Sequence, residues 1–289
     1  MPRVLVTAAL GNVGREVVRE CRDRGLSVRV ADRHTPILNE HFSGVEQARF
    51  DYGEPSTWAS ALTGCNQVFL LRPPAVGNMA NTLCPFIDAA YSLGVEHVVF
   101  LSVAGAERMR WVPHHKVEAH LLRSGKRWTI LRPGFFAQNM ESAYRQDIVE
   151  DDRIFLPAGE GRVAFVDVRD IGAVAASVFQ NPSAFAGQAL ALTGPEAITF
   201  TQVAELLTRA VSRPIRYEPA TIQGYVWHLR TKRKLTWMQT IIQTILHVGL
   251  RHGDAEEVVS TVAQVLGRPP GTMAAYVERS AATWRTSQR

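Results

Sequence analysis

Residues 7–14 most constrain how this chain can fold, because they join an apolar run to a helical pattern. The apolar run is residues 4–6 and the helical pattern starts at residue 15, so the segment predicts a strand, a tight turn and a helix. Small residues let the backbone of such a turn approach a pyrophosphate, and the helix N-terminus offers N–H groups to it. The segment therefore indicates a dinucleotide site. The candidate contacts are Thr7, Ala9, Gly11, Asn12, Val13 and Gly14.

Ala8 stands where the first glycine of a G-x-x-G-x-x-G pattern is expected, which leaves Gly11 and Gly14. Alanine keeps the turn small but adopts a positive φ less readily than glycine. Gly14 is expected to let the helix pack closely on the strand. The reduced motif alone also fits a plain strand-to-helix connection, but its position near the N-terminus and the sequence that follows favour the dinucleotide.

Two opposite selectors for the cofactor follow a second predicted strand at residues 27–31. Asp32 lies where a carboxylate binds the adenosine ribose diol, which favours NAD, whereas Arg33 could pair with the 2′-phosphate of NADP. Asp51 ends a third strand, where the adenine edge would lie, or else it is a turn carboxylate. At this point the sequence does not decide between NAD and NADP. Asp32 and Arg33 could also be plain surface charges at the end of a strand.

The composition indicates an ordinary globular protein. With 289 residues, 46% hydrophobic and 20% charged, the chain can bury a large core, which excludes disordered and fibrous classes. The net charge of +5 comes from scattered side chains, so we expect no nucleic-acid partner. Three cysteines without metal-ligand spacing suit a reducing compartment and indicate no metal site. The lack of a signal pattern or long apolar run predicts a cytoplasmic protein without a membrane partner.

Strands and helices alternate through the first half of the chain, which is typical of parallel βαβ units. Further strands are expected at residues 45–50, 67–71, 97–102 and 128–132, and helices at 57–62, 79–93 and 115–124. After residue 133 the pattern becomes loop-rich and then mostly helical. We therefore predict an α/β protein, a Rossmann doubly wound parallel sheet with a smaller, mainly helical C-terminal substrate lobe. The Rossmann domain comprises residues 1–133 with 162–192 returning to it, and the lobe comprises 134–161 and 193–289.

Several segments in a fixed order resemble the NmrA-like branch of the extended short-chain dehydrogenase/reductase superfamily. They are 7–14 (TAALGNVG), 69–74 (FLLRPP), 100–106 (FLSVAGA), 115–118 (HKVE), 129–139 (TILRPGFFAQN), 165–171 (FVDVRDI) and 192–196 (LTGPE). The resemblance covers nearly the whole chain. It implies a Rossmann fold, an NAD(P) site with a lean towards NADP(H), and a small C-terminal substrate lobe.

The resemblance also exposes a departure in the catalytic motif. The superfamily reduces carbonyls with Tyr-x-x-x-Lys, which falls here on residues 110–114, so that Arg110 replaces the tyrosine and His114 the lysine. Next to Pro113, His114 would stand in the first turn of a helix near the cofactor. It could donate a proton, with a rate that falls as the imidazole deprotonates near its reference pKa of about 6.5. Alternatively, His114 binds ribose or only begins a helix.

Other site residues follow from the same resemblance. Ser102 could bind the substrate carbonyl or cap a turn. The loop Leu71, Arg72, Pro73 and Pro74 is expected to pass its backbone beside the nicotinamide ribose, or else it is a plain loop stiffened by proline. Phe135, Phe136 and Asn139 are candidates for the substrate side, although the aromatic rings could be core. Asp167 and Asp170 are interpreted as helix caps rather than catalysts.

Residues 227–250 carry apolar side chains at helical spacing. They are Trp227, Trp237, Met238, Ile241, Ile242, Ile245 and Leu246. Such a stripe usually packs on the core or forms a lid over a nonpolar substrate, and a membrane-surface role is a weaker alternative.

Together, these patterns predict an NAD(P)H-dependent oxidoreductase that reduces a hydrophobic, aromatic or quinone-like small molecule. The alternative is an NAD(P)-binding, redox-sensing regulatory protein without turnover, which the missing Tyr-x-x-x-Lys favours. A third hypothesis, suggested by Ala8, is a pathway enzyme whose Rossmann site has lost its cofactor. The sequence does not decide the oligomeric state, and a homodimer is one possibility.

Overall fold

The computed structural model describes residues 3–73 and 76–285; Pro74, part of the predicted loop beside the nicotinamide ribose, lies outside these ranges. The strands are β1 (Arg3–Thr7), β2 (Ser27–Asp32), β3 (Glu46–Arg49), β4 (Gln67–Leu71), β5 (His97–Leu101), β6 (Arg127–Pro133), β7 (Arg153–Leu156), β8 (Arg162–Val163), β9 (Gln188–Leu192), β10 (Ile198–Thr199) and β11 (Arg216–Pro219).

Helices separate most of these strands. They are α1 (Asn12–Asp23), α2 (Thr35–His41), α3 (Trp58–Leu62), α4 (Leu83–Ser92), α5 (Pro113–Arg123), α6 (Arg145–Glu150), α7 (Val168–Gln180), α8 (Pro182–Phe185), α9 (Phe200–Val211), α10 (Ile222–Thr231), α11 (Trp237–Arg251), α12 (Thr261–Leu266) and α13 (Met273–Ser280). Short 3₁₀ turns lie at Pro55–Thr57, Met79–Asn81, Ala137–Met140 and Ala281–Thr283. Within the described ranges, no helix is both long enough and apolar enough to cross a bilayer.

A parallel sheet of seven described strands forms the first compact unit, which comprises Met1–Pro133, Val168–Leu192 and Thr261–Arg268. Its order is β3-β2-β1-β4-β5-β6-β9, with every neighbouring pair parallel. This order confirms the predicted doubly wound Rossmann fold, and it reverses between β1 and β4. The central strands are apolar on both faces because helices cover both sides of a parallel sheet.

Close packing of α1 on α7 depends on one glycine. A Cβ at Gly172 would lie 2.8 Å from the backbone of Glu16, so only glycine allows the two helices to approach this far. α7 follows Asp167, whose carboxylate accepts hydrogen bonds from Gln138 and Arg279, and Asp170 pairs with Arg268 at 2.8 Å.

The second compact unit comprises Gly134–Asp167, Thr193–Ser260 and Pro269–Arg289. It contains the antiparallel pair β8–β10, the parallel pair β7–β11 and helices around a core rich in aromatic rings. Thr199 begins α9 with a capping box, in which its hydroxyl accepts from the N–H of Gln202 and Gln202 caps the Thr199 N–H in return.

The contact pattern divides the chain differently from the sequence at two places. Residues 162–167 fall in the second unit, because β8 pairs with β10, and Thr261–Arg268 fall in the first, because α12 packs on α7 and β9. The helix expected over 79–93 is also interrupted, since Thr82 leaves helical geometry between the 3₁₀ turn and α4.

Candidate cofactor and active site

The turn after β1 has a left-handed residue at its start. Ala8 adopts a φ of +50° and its carbonyl accepts the Gly11 N–H at 3.0 Å, which closes the turn before α1. A Cβ at Gly14 would lie 2.3 Å from the Ala8 oxygen and 2.9 Å from the Cα of Ala9. The first turn of α1 therefore lies against the left-handed turn, and only glycine at position 14 permits that contact.

The N-terminus of α1 is open. Its N-cap residue is Gly11, which brings no side chain to the N–H groups of the first turn, and those groups have no acceptor within a helix. Gly11 and Asn12 are exposed, whereas Ala9 and Val13 are buried, so any ligand contact by the latter two would involve their backbone. This geometry fits a phosphate group, which accepts several N–H bonds and is favoured by the helix dipole.

Thr7 lies inside the fold rather than at its surface. Its Oγ1 donates to the carbonyl of Phe69 at 2.9 Å and accepts the N–H of Leu71 at 3.0 Å. The buried hydroxyl of Tyr52 lies 2.9 Å from both Thr7 Oγ1 and the Leu71 carbonyl. The Thr7 side chain thus joins β1 to β4 and holds the two loops that follow these strands in register.

The carboxyl ends of β2 and β3 carry the candidate adenosine contacts. Asp32 Oδ1 accepts the N–H of His34 at 3.2 Å, while Arg33 is exposed and has no ion pair or hydrogen bond within the described chain. Asp51 accepts the N–H of Gly53 at 2.8 Å, which is the bond of a turn carboxylate. The charge of Arg33 is thus available to a ligand.

The loop after β4 approaches the start of α5. Leu71, Arg72 and Pro73 are half-buried, and Arg72 Nε donates to the carbonyl of Val76 at 2.8 Å. Burial lowers the pKa of Arg72. The positive charge of Arg72 in turn helps to lower the pKa of His114. The structure therefore brings together two segments that the sequence separately assigned to the nicotinamide end of the site.

His114 is an uncharged imidazole in this fold. Burial, and next the nearby charge of Arg72, lower its pKa to about 4, so the expectation of a titration near the reference value is wrong. Its ring lies 6.1 Å from the ring of Phe100 on β5, and its Nδ1 is buried without a hydrogen-bond partner among the described residues. An unpartnered buried nitrogen is costly unless a ligand completes it.

The Ser102 side chain belongs to a hydrogen-bond network with Glu118 and Arg132. The side chain is buried and Oγ donates to Glu118 Oε1 at 2.5 Å, so the proton expected to reach a substrate carbonyl is already bound. Arg132 holds the same carboxylate with two hydrogen bonds of 3.1 and 2.6 Å and pairs with Glu107 at 3.3 Å. The network ties α5, which carries His114, to the ends of β5 and β6.

The three substrate candidates lie in the second unit. The ring of Phe135 packs edge-on against Phe165 at 5.6 Å and contacts His247 at 6.1 Å, as a core side chain does. Phe136 is half-buried and pairs through its backbone with Val166. Asn139 is half-buried, and its backbone carbonyl accepts the N–H of Tyr144 at 3.0 Å. In the described ranges, no cluster of His, Cys, Asp and Glu side chains is arranged for a metal ion.

Sequence reasoning missed the roles of Glu118, Arg132 and Tyr52. Glu118 follows His114 by four residues and so shares its face of α5, and that spacing was the available signal. The partners Ser102 and Arg132 lie on two other strand ends, and no local pattern pairs them. The segments that carried the resemblance are thus joined physically by this network.

A profile of the NmrA-like family matches residues 2–276. The chain belongs to the NmrA-like family. The NAD(P)H azoreductase of Xenophilus azovorans is 32% identical to this NmrA-like protein over an alignment of 293 positions, which covers 97% of this chain and 99% of the relative. Prestalk A differentiation protein A of Dictyostelium discoideum is 34% identical over 226 residues, or 77% and 74% of the two chains.

A solved structure supports the same fold for this NmrA-like protein. The NADPH-dependent quinone oxidoreductase of Escherichia coli, complexed with NADPH, matches with a TM-score of 0.85 at 24% identity and covers 96% of this chain and 99% of the other. At that identity, the likeness shows the fold.

Proposed function

We propose that this protein is an NAD(P)H-dependent reductase that transfers a hydride to a hydrophobic, aromatic or quinone-like small molecule. The observation that carries the proposal is the open N-terminus of α1 against the left-handed turn at Ala8, at the edge of the sheet where Rossmann folds bind dinucleotides. The relatives support it, since one is named an NAD(P)H azoreductase and the matched structure is a quinone oxidoreductase with NADPH.

The residues at this edge fit the parts of a dinucleotide. The backbone of residues 11–14 would hold the pyrophosphate, and Asp32 would bind the adenosine ribose. Arg33 would pair with a 2′-phosphate, which gives a preference for NADP(H). Asp51 would lie at the adenine edge, and the backbone at Leu71–Pro73 would lie beside the nicotinamide ribose.

His114 is the proposed catalytic residue. A bound reduced nicotinamide supplies the hydride. Since the His114 imidazole is neutral, we assign it the role of a hydrogen-bond donor to the substrate atom that gains negative charge, with the proton drawn finally from water. Phe136 and Asn139 are the proposed substrate contacts, and Phe135 supports them from the core.

Ser102 and Glu118 are assigned a positioning role in this proposal. The Ser102 hydroxyl and the Arg132 guanidinium hold the Glu118 carboxylate, one turn after His114 on α5. A helix fixed at this point keeps the imidazole in one place, which is what a neutral hydrogen-bond donor requires.

A second candidate is a redox-sensing protein that binds NAD(P) and changes its affinity for a partner. The replacement of Tyr-x-x-x-Lys by Arg110 and His114 favours it, because the exposed Arg110 offers no phenol. One relative is also named for differentiation rather than for a reaction. Such a sensor needs partner affinities that differ between oxidised and reduced cofactor.

One experiment separates these functions. Calorimetry gives the stoichiometry and affinity for NADPH and NADH, and absorbance at the nicotinamide band follows oxidation against a panel of benzoquinones, aromatic azo compounds and aromatic ketones. We expect one NADPH per chain and turnover with at least one class. Stoichiometric binding without turnover would favour the sensor, and absence of binding would overturn both functions.

A further inference from the structure

The exposed side of α11 is apolar, whereas part of its buried side is polar. The α11 face comprises Trp237, Met238, Ile241, Ile242, Ile245 and Leu246, which are 41–68% exposed. On the opposite side, Thr240 and His247 are buried, and the Thr244 hydroxyl is buried as well. A helix at the surface of a monomer normally has the reverse arrangement. The expectation that this stripe packs on the core of its own chain is therefore wrong.

The α11 face has the regularity of a helix-packing surface. Trp237, Ile241 and Ile245 form one row four residues apart, and Met238, Ile242 and Leu246 form a second row beside it. Rows with this spacing form the ridges that interdigitate when two helices pack. No charged residue occurs from position 237 to 250, and the charge that touches the face is the guanidinium of Arg230 on α10, which stacks on the ring of Trp237.

The size of the surface suits a stable interface. Trp227 on α10 extends it: Arg230 follows Trp227 by three residues and stacks on the ring of Trp237 at 4.6 Å. With Trp227 included, the surface exposes on the order of 800 Å² of side chain, which is what one partner contributes to a standard interface and more than the largest patch on a typical monomer.

The charges at the two ends of α11 indicate that the α11 face binds a second copy of this chain. Lys232 and Lys234 are exposed just before α11. Arg251 is the exposed last residue of the helix, and the exposed carboxylates of Asp254, Glu256 and Glu257 follow it, so this end is acidic despite Arg251. Antiparallel packing of two copies places the basic end of each helix beside the acidic end of the other, and it also opposes their dipoles favourably. An anionic lipid surface would attract the first end and repel the second.

We propose that the α11 face is the two-fold interface of a homodimer in which two copies of α11 pack antiparallel. The midpoint of the face lies between Ile241 and Ile242, so these residues lie nearest the axis and meet their counterparts. The α11 faces of the two copies pack against each other, which removes their apolar surface from water.

The first test is the oligomeric state. Sedimentation equilibrium of the full chain at physiological salt should show a dimer at about 10 μM, in the range expected for an interface of standard size. Ile241→Glu should weaken the dimer at least a hundredfold, since it places two like charges at the axis, while Leu93→Glu on the first unit should leave it unchanged. A monomeric wild type, or a dimer that persists in Ile241→Glu, would overturn the proposal.

The second test fixes the orientation. In this arrangement position 238 of one copy lies beside position 245 of the other, at the centre of the α11 face. Oxidation of a mixture of Met238→Cys and Ile245→Cys proteins should therefore give a disulfide-linked heterodimer, whereas neither variant alone should form a linked homodimer. Linked homodimers without the heterodimer would overturn the antiparallel arrangement. Vesicles containing phosphatidylserine provide the competing outcome: flotation of a monomeric protein with them, abolished by Ile241→Glu, would assign the face to a membrane and overturn the dimer.

Discussion

Two helices that begin at the same edge of the sheet are prepared for different ligands. α1 begins at an exposed glycine and leaves its first N–H groups open, whereas α5 begins at Val112 and Pro113 and places a half-buried His114 in its first turn. Local sequence accounts for the open start, since one left-handed residue and two glycines close the turn. The start of α5 instead depends on a network with two other strands. An anion site can therefore be built locally, but a held imidazole needs tertiary contacts.

The largest expected effect is on the chemical step at α5. His114→Ala should lower kcat about 10²–10⁴-fold, the usual contribution of a positioned proton or hydrogen-bond donor, with little change in NADPH affinity. Stopped-flow and steady-state kinetics with a quinone would measure it. If His114 only binds ribose, cofactor affinity falls instead, by about 0.5–1.5 kcal/mol, and kcat is less affected.

The pH dependence of kcat/KM tests whether His114 acts as a neutral imidazole. The pKa of His114 is lowered to about 4, so wild-type kcat/KM should not fall through the region of an ordinary histidine as pH rises. A decline centred near pH 6.5, absent from His114→Ala, would show that the protonated imidazole acts.

The Ser102–Glu118–Arg132 network behind α5 should contribute strongly to the free energy of unfolding. Glu118→Ala leaves the largely buried Arg132 without its main partner and should cost about 3 kcal/mol in the free energy of unfolding, measured by urea denaturation. Glu107→Ala removes a more exposed carboxylate from the same arginine and should cost less than about 1 kcal/mol. Equal costs would mean that Glu118 does not clamp α5.

At α1, two glycines provide a matched pair. Gly14→Ala forces a Cβ to within 2.3 Å of the Ala8 oxygen and should cost roughly 3 kcal/mol of stability and weaken NADPH binding. Gly11→Ala meets the same oxygen at 3.4 Å with a φ of −73°, so stability should change by less than about 1 kcal/mol. Thermal unfolding and calorimetry check both, and similar losses would contradict a contact specific to Gly14.

The choice of cofactor depends on one exposed cation. Arg33→Ala should weaken NADPH binding by about 1.5–3 kcal/mol, the value of a charged hydrogen bond, and leave NADH nearly unchanged. Titration of both cofactors on the same protein supplies the control. Equal weakening of the two would exclude Arg33 as the selector.

The smallest effect is expected at the left-handed residue itself. Ala8→Gly relieves a φ of +50° that costs an alanine roughly 1–2 kcal/mol, partly offset by the greater freedom of glycine when unfolded, so stability should rise by about 0.5–1 kcal/mol. Ala9→Gly, at a buried neighbour without positive φ, should instead destabilise. A loss in both variants would show that Ala8 is unstrained.

Local patterns predicted most of the fold. The strands at residues 27–31, 67–71 and 128–132 and the helix around 115–124 lie within one or two residues of their observed positions, because apolar runs and glycine stops act over a few residues. The sequence did not predict the break at Thr82. The spacing of apolar residues gives no sign of it, and it is visible only in the non-helical backbone angles of Thr82.

The sequence by itself determined the strands of the Rossmann sheet, the turn at residues 7–14 and the position of His114 at the start of a helix, because each depends on neighbouring residues. Only the tertiary structure decided that Ser102 donates inward to Glu118, that burial keeps His114 neutral and that the apolar side of α11 faces outward. These outcomes depend on which distant side chains share a buried space. Burial and charge pairing are properties of that space, and no local spacing encodes them.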